Sequence, residues 1–266
     1  MIHPTAILHP KAQIGEGCSI GAYSVLDEHV VLGARCIVGP HVHITGHTEI
    51  GTANRFHAGC VIGDAPQDMK YTGAPTRLRI GDRNTFREHV TIHRSNRLDE
   101  STVLGNENLL MSGSHVGHNS RLGNGNILAN GALLGGHVIL TDRAFISGNC
   151  LVHQFCRIGR LALMQGGAAI SKDLPPFCIA RGDNGIAGLN TIGLRRAGFT
   201  AEQRLTLRRV YHQLFRSRLS RSQAIAQAMQ DLPPESPALE MVEFVQTSRR
   251  GVCADTGQSA DSGEEA

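Results

Sequence analysis

Residues Leu104 to Ala169 fall into sixes: LGNENL, LMSGSH, VGHNSR, LGNGNI, LANGAL, LGGHVI, LTDRAF, ISGNCL, VHQFCR, IGRLAL and MQGGAA, with Ile170 opening another. Every block begins with an aliphatic residue or methionine. The same phase runs back through Ile92, Phe86 and Ile80, and without a miss from Ile2 to Ile62, giving 26 anchors. Four residues after most anchors comes a small one, as at Ala12, Cys18, Ser24, Cys36, Cys60, Ser114, Ser120, Ala132, Ala144, Cys150, Cys156 and Ala162. A helix repeats every 3.6 residues and a strand every two, so neither produces a period of six. A three-sided coil does. Each six is one short strand and a corner, three make an 18-residue turn, and the anchor points inward.

This predicts an all-β left-handed parallel β-helix of the hexapeptide-repeat kind over residues 1–181. The hand comes from that architecture and runs against the usual right-handed crossover. Composition agrees with it: aromatics make up 4% of the 266 residues, Trp is missing and Gly numbers 31, so the core must be thin aliphatic layers. Five of the seven cysteines (Cys18, Cys36, Cys60, Cys150, Cys156) occupy the small inward position, where a thiol acts as a compact hydrophobe. No C-x-x-C pair suggests zinc or a disulfide framework, and all seven are expected to be reduced. A net charge of +3 is too small to argue for nucleic acid. No apolar run approaches the ~20 residues of a membrane span, and Met1-Ile2-His3-Pro4 does not open a signal peptide, so a cytoplasmic location is expected.

The period fails twice, near 64–79 and 93–102, and both stretches read as outward loops, the usual seat of function on a rigid scaffold. After Ile170, Pro175-Pro176 ends the repeat, and a C-terminal α-helical domain is expected over 182–252. Thr200 and Gln203 form a capping box for a first helix. A second is expected around Gln223–Asp231 and a third from Pro237 to Arg249. From Arg195 to Arg250 there are ten Arg against five acidic residues, which suits either a solvated cap or a docking face for an acidic partner. Residues 253–266 read as a disordered tail.

An 18-residue turn stacks His118 beneath Gly136, about 4.8 Å away, with Gln154 one turn further. His137 and His153 lie one residue from that column and His115 three before it, so one ridge is expected to carry all of them. An imidazole is a suitable general base for an alcohol. A glycine beside it leaves a backbone N–H open to a developing oxyanion. Together they suit acyl transfer. The competing reading is a three-His metal site, as in a hydratase. No acidic partner is evident near the cluster to orient such ligands, so no metal is expected.

A set of stretches occurs together: Ile92-His93-Arg94, Asn108 to Met111, His115-x-x-His118, Ile127 to Asn130, Gly136-His137-Val138, Val152 to Cys156, Asp173-x-Pro175-Pro176, Gly193 to Phe199, and the loop Gln67 to Thr76. In these the chain resembles the UDP-N-acetylglucosamine O-acyltransferases, the first acyl-transfer enzymes of lipid A biosynthesis. The likeness covers roughly residues 1 to 251. It implies that His118 deprotonates the sugar 3-hydroxyl and that the Gly136 N–H holds the oxyanion. Asp68 would grip the sugar, with Lys70 and His115 nearby. His137, His153, Gln154 and Asn190 would line the substrate groove, and Arg196 would meet the nucleotide phosphates. Gly166 would leave room for a long acyl chain. The donor would be a 3-hydroxyacyl thioester of acyl carrier protein, with no further cofactor, and the assembly a homotrimer with sites between subunits. Three residues depart from the family pattern: Asn119 replaces an Asp after the catalytic His, Ile192 a Glu, and Ala197 a basic residue. They leave open a different sugar nucleotide, an amine acceptor, or a trimeric binding protein without catalysis.

Overall fold

The computed structural model describes residues 1–257. Short parallel strands stack into three sheets, and each strand pairs with the third one after it in the chain. The register is the one the period requires: Leu104 lies against Leu122, Leu122 against Leu140, and Leu140 against Ile158. From Ile20 to Ile170 the anchors are buried and form one continuous core. Ile2, Leu8 and Ile14 are only partly covered, because no rung lies beyond the first. Corners are turned by residues with positive φ, among them Arg35 (58°), Asn119 (60°) and His137 (59°). Glycine and asparagine accept this conformation most readily, yet Arg, His, Leu and Phe also adopt it here, held by the rung hydrogen bonds on either side.

One corner column departs from the small-residue expectation. Asn54, Asn84, Asn108 and Asn126 occupy the inward position and are buried. The Oδ1 of each accepts the main-chain N–H of the next rung, from Asn84, Asn108, Asn126 and Ala144 in turn, all at 2.9 Å. The side-chain amides of Asn84 and Asn108 also donate down the column. All seven cysteines are free and buried. Burial pushes the thiols of Cys36, Cys60 and Cys156 up to about 11 and that of Cys253 to about 12, so they are neutral and unreactive.

The two interruptions are loops, and both are narrower than expected. Strands Val61–Asp64 and Arg77–Ile80 bound the first; strands Thr91–His93 and Ser101–Leu104 bound the second. Leu78 and Thr102 stay in the core because they keep the second inward position of the six-residue phase, in register with each other.

The region after the coil departs from expectation at five points. It opens with a hairpin, Cys178–Arg181 against Gly185–Leu189, which continues one sheet of the coil. It then carries four helices: α1 (Thr191–Arg196), α2 (Ala201–Phe215), α3 (Arg221–Asp231) and α4 (Ala238–Gln246). The Thr200 capping box stands as read, but a second one, Ser220 with Gln223, starts α3 two residues early. α4 stops at Gln246, where Thr247 caps it. Finally, Ala254–Asp255 is a strand paired with Gly185–Ile186, and Asp255 accepts from Tyr211 and Arg216. These contacts are long-range, so a local reading of a polar segment misses them. The rest of the expected tail, 258–266, lies outside the described residues. Arg157 and Arg160 dock the helices on the coil. Arg157 bridges Asp173 (3.0 Å) and the Phe244 carbonyl (2.9 Å), and Arg160 meets Glu240 at 2.6 Å.

Candidate active site

The corner that follows strand His115–Val116 places His118 directly under the next rung. Rung pairing sets this, since His137 N donates to His118 O at 2.8 Å and Gly117 N to Leu134 O at 2.9 Å. A Cβ added at Gly136 would stand 2.7 Å from His118 Nε2, so only glycine admits the imidazole here. The Gly136 N–H has no hydrogen-bond acceptor among the described residues. A cleft of about 780 Å³ opens beside the pair. His115, His153, Gln154 and Gln67 line it, with the exposed faces of Leu133 and Leu151.

The other imidazole nitrogen is held from behind. His118 Nδ1 lies 2.9 Å from Asn119 Oδ1, and Asn119 is 5% exposed. His115 Nδ1 is 2.7 Å from Thr91 Oγ1, and burial lowers its ionisation to about 4, so the ring is neutral near pH 7. His93, at 7% exposure, packs edge-on against it with centroids 4.8 Å apart, and burial holds it below the ordinary histidine value too.

The two loops meet at this corner. Asp68 Oδ1 accepts from Lys70 N at 3.0 Å, and its Oδ2 from Asn96 Nδ2 at 2.7 Å. Those bonds, the Lys70 N–H first, hold its carboxyl below the usual carboxylate range. Asn96 N then donates to Asn119 Oδ1 at 3.0 Å. Asn96 thus ties the Asp68 loop to the support of His118.

The remaining predicted site residues divide. His115, His118, Gly136, His153 and Gln154 share the cleft, and Asp68 is tied to His118 through Asn96 and Asn119 without lining it. His137 lies across the corner instead. Its ring stacks on Phe155 (4.5 Å between centroids) and stands 3.9 Å from Glu100, so the expected single ridge is two faces of one corner. Lys70 and Gly166 are exposed and do not line the cleft. Asn190 is buried as the N-cap of α1, accepting from Gly193 N and donating to Leu161 O, both at 2.9 Å. Arg196 ends α1, exposed and away from this cleft. Sequence reasoning also overlooked a carboxylate: Glu100 stands beside the cluster where no acidic partner was expected. Asn96 and Glu100 were legible only as members of an interrupted stretch, with no spacing signal to single them out, whereas His93 directly follows the anchor Ile92, one rung from His115.

Fold and corner together define a hexapeptide-repeat acyltransferase: a three-sided parallel coil with a histidine against an open backbone N–H. Comparison narrows this. Residues 173–253 match the family model "Udp N-acetylglucosamine O-acyltransferase; Domain 2". The acyl-[acyl-carrier-protein]–UDP-N-acetylglucosamine O-acyltransferase of Herminiimonas arsenicoxydans is 45% identical over 95% of this chain and 98% of its own. That of Anaeromyxobacter sp. is 43% identical over 94% of this chain and 98% of its own. The UDP-N-acetylglucosamine acyltransferase of Francisella novicida superposes with a TM-score of 0.93 at 34% identity, covering 100% of both chains. The one from Bacteroides fragilis gives 0.91 at 39% identity, covering 95% of this chain and 99% of its own. The chain belongs to the acyl-[acyl-carrier-protein]–UDP-N-acetylglucosamine O-acyltransferase family, with its left-handed parallel β-helix.

Proposed function

We propose that this protein transfers a 3-hydroxyacyl group from acyl carrier protein to the 3-hydroxyl of UDP-N-acetylglucosamine, opening lipid A biosynthesis. The observation that carries the reading is the close approach of His118 Nε2 to Gly136, whose N–H has no acceptor among the described residues. In the reaction His118 Nε2 takes the hydroxyl proton as the sugar oxygen attacks the thioester carbonyl carbon. The oxyanion that forms is met by the Gly136 N–H, a donor already in place. Collapse breaks the C–S bond, and the imidazolium returns its proton to the departing thiolate. His115, neutral near pH 7, adds no positive charge to compete with the His118 imidazolium.

Asp68 would hold sugar hydroxyls, with Lys70 on its own loop and His115 in the cleft nearby. Gln154 and His153 would line the acyl path along Leu133 and Leu151. His137 packs edge-on against His118 (5.2 Å between centroids) at the back of the corner, whereas Asn190, Arg196 and Gly166 lie off this cleft within one chain, so their substrate contacts require a site completed by a neighbouring subunit. A homotrimer meets that need, and the exposed Leu133, Ile139, Leu151 and Phe155 offer apolar coil faces for it. The arginine-rich helices, where Arg195, Arg204 and Arg208 flank Leu205, are the docking face for the acidic carrier protein. Seven reduced cysteines suit a cytoplasmic location, and no helix of the described residues is long and apolar enough to cross a membrane.

The test is an acyl-transfer assay with several 3-hydroxyacyl carrier proteins and UDP-sugars, run on wild type and His118→Ala. A drop of roughly 10³-fold or more is expected for the variant. Transfer that survives the substitution removes His118 as the base. Failure of the wild type with every acceptor would favour a binding protein. Light scattering at a trimer mass is the companion measurement.

A further inference from the structure

Asn119 uses its whole side chain. Oδ1 accepts from His118 Nδ1 (2.9 Å) and Asn96 N (3.0 Å), while Nδ2 donates to Ser95 Oγ (2.8 Å) and Glu100 Oε2 (2.6 Å). Two of these partners have no freedom of role. A main-chain N–H only donates, and a carboxylate only accepts. Turning the amide over would set its NH₂ against the Asn96 N–H and its carbonyl oxygen against the Glu100 carboxylate. The amide is therefore locked with oxygen toward His118, so His118 Nδ1 must carry the proton. Nε2, the nitrogen against Gly136, is left with its lone pair.

We propose that Glu100 is a positioning residue for the base: acting through Asn119, it fixes the His118 tautomer and supplies the negative charge that favours the imidazolium. The inference rests on the role of His118 given above. An amide relays orientation but has no charge of its own, whereas a carboxylate bonded to its NH₂ polarises the C=O that faces the imidazole. The remaining charged and titratable groups around His118 are Asp68 from the first loop, His93 and His115 on neighbouring strands, His137 on the next rung and Arg97 from the second loop. Arg97 is itself 3.4 Å from Glu100 and exposed, which tempers the carboxylate without removing it.

A consequence runs against simple intuition. Asn119→Asp places an isosteric carboxylate beside His118, yet its second oxygen would fall where Nδ2 now meets Glu100 at 2.6 Å. Two carboxylates that close must share a proton or separate. The single substitution should lower kcat roughly 10- to 100-fold. Glu100→Gln keeps an acceptor for the Asn119 amide and loses only charge. It should lower kcat several-fold at unchanged KM and move the acid limb of the kcat/KM profile to lower pH, because a lost anion makes the imidazolium less favourable. Asn119→Asp combined with Glu100→Gln restores one anion and one donor, and activity should return to within about threefold of wild type.

Acyl-transfer assays across pH on these three proteins, with His118→Ala alongside and thermal melts to confirm folding, make the test. Nitrogen-15 NMR of the wild-type imidazole should report an Nδ1–H tautomer. Additive losses in the double variant, an unmoved pH profile in Glu100→Gln, or an Nε2–H tautomer would each overturn the proposal. If His118→Ala is inactive while the Glu100 variants behave as wild type, this inference fails and the assignment of the base stands. If His118→Ala remains active, the assignment of the base itself fails.

Discussion

Two buried asparagine environments stand on different corners of the same coil. In the column Asn54, Asn84, Asn108 and Asn126, each amide answers the main chain of the next rung and, in its middle members, the amide of the one below. Asn119 is equally buried, but its partners are a histidine ring, a carboxylate, a serine hydroxyl and an N–H from an inserted loop. The first set joins rung to rung and has no charged partner. The second joins an 18-residue turn to residues that the period cannot place. A buried amide thus belongs to the fold or to the site according to what it is bonded to, since burial and residue type are the same in both.

The comparison can be broken in four places. Asn119→Ala removes the acceptor of His118 Nδ1 and strands Glu100, so activity should fall about 100-fold, with some loss of stability. Activity within a few-fold of wild type would mean that the imidazole holds its orientation unaided. Asn108→Ala should do the opposite. It leaves the Asn126 N–H without its acceptor and Gly123 O without a donor, costing about 2–4 kcal/mol in denaturant unfolding. Turnover per folded molecule should not change, and a large fall in kcat would erase the division drawn here.

The third break is in pH. His115 ionises at about 4 when folded, below the ordinary 6.5, so the unfolded chain takes up the proton first as pH falls. Its contribution is whole above pH 6.5 and is lost as pH drops toward 4, a change on the order of 3 kcal/mol. Melts of wild type and His115→Gln should therefore diverge at neutral pH and converge near pH 4; parallel curves would show that the burial of His115 is not felt. Asn126→Ala should be mildest, about 1–2 kcal/mol. Only the Ala144 N–H loses an acceptor, while the substitution also removes a buried Nδ2 that has no partner. A cost equal to that of Asn108→Ala would mean that the column acts as a unit rather than link by link.

The six-residue period determined the coil, its rung spacing and the stacking of His118 under Gly136, because an 18-residue turn converts distance along the chain into height with no further information. It also indicated which cysteines are inert, since their inward position recurs with the anchors. Which face each histidine takes at its corner was not in the period. His118 and His137 differ by one residue from a common column, and although their rings meet edge-on (5.2 Å between centroids) only His118 lines the cleft, while His137, at positive φ, turns toward Phe155 and Glu100. Nor could the period place Asn96 or Glu100, which reach the site by loop closure and hydrogen bonds among distant residues. The hairpin at Cys178–Leu189 and the strand Ala254–Asp255 depend likewise on partners far away in the chain. Periodicity is a property of neighbours in sequence, whereas the charge behind the base is set by groups that only folding brings together.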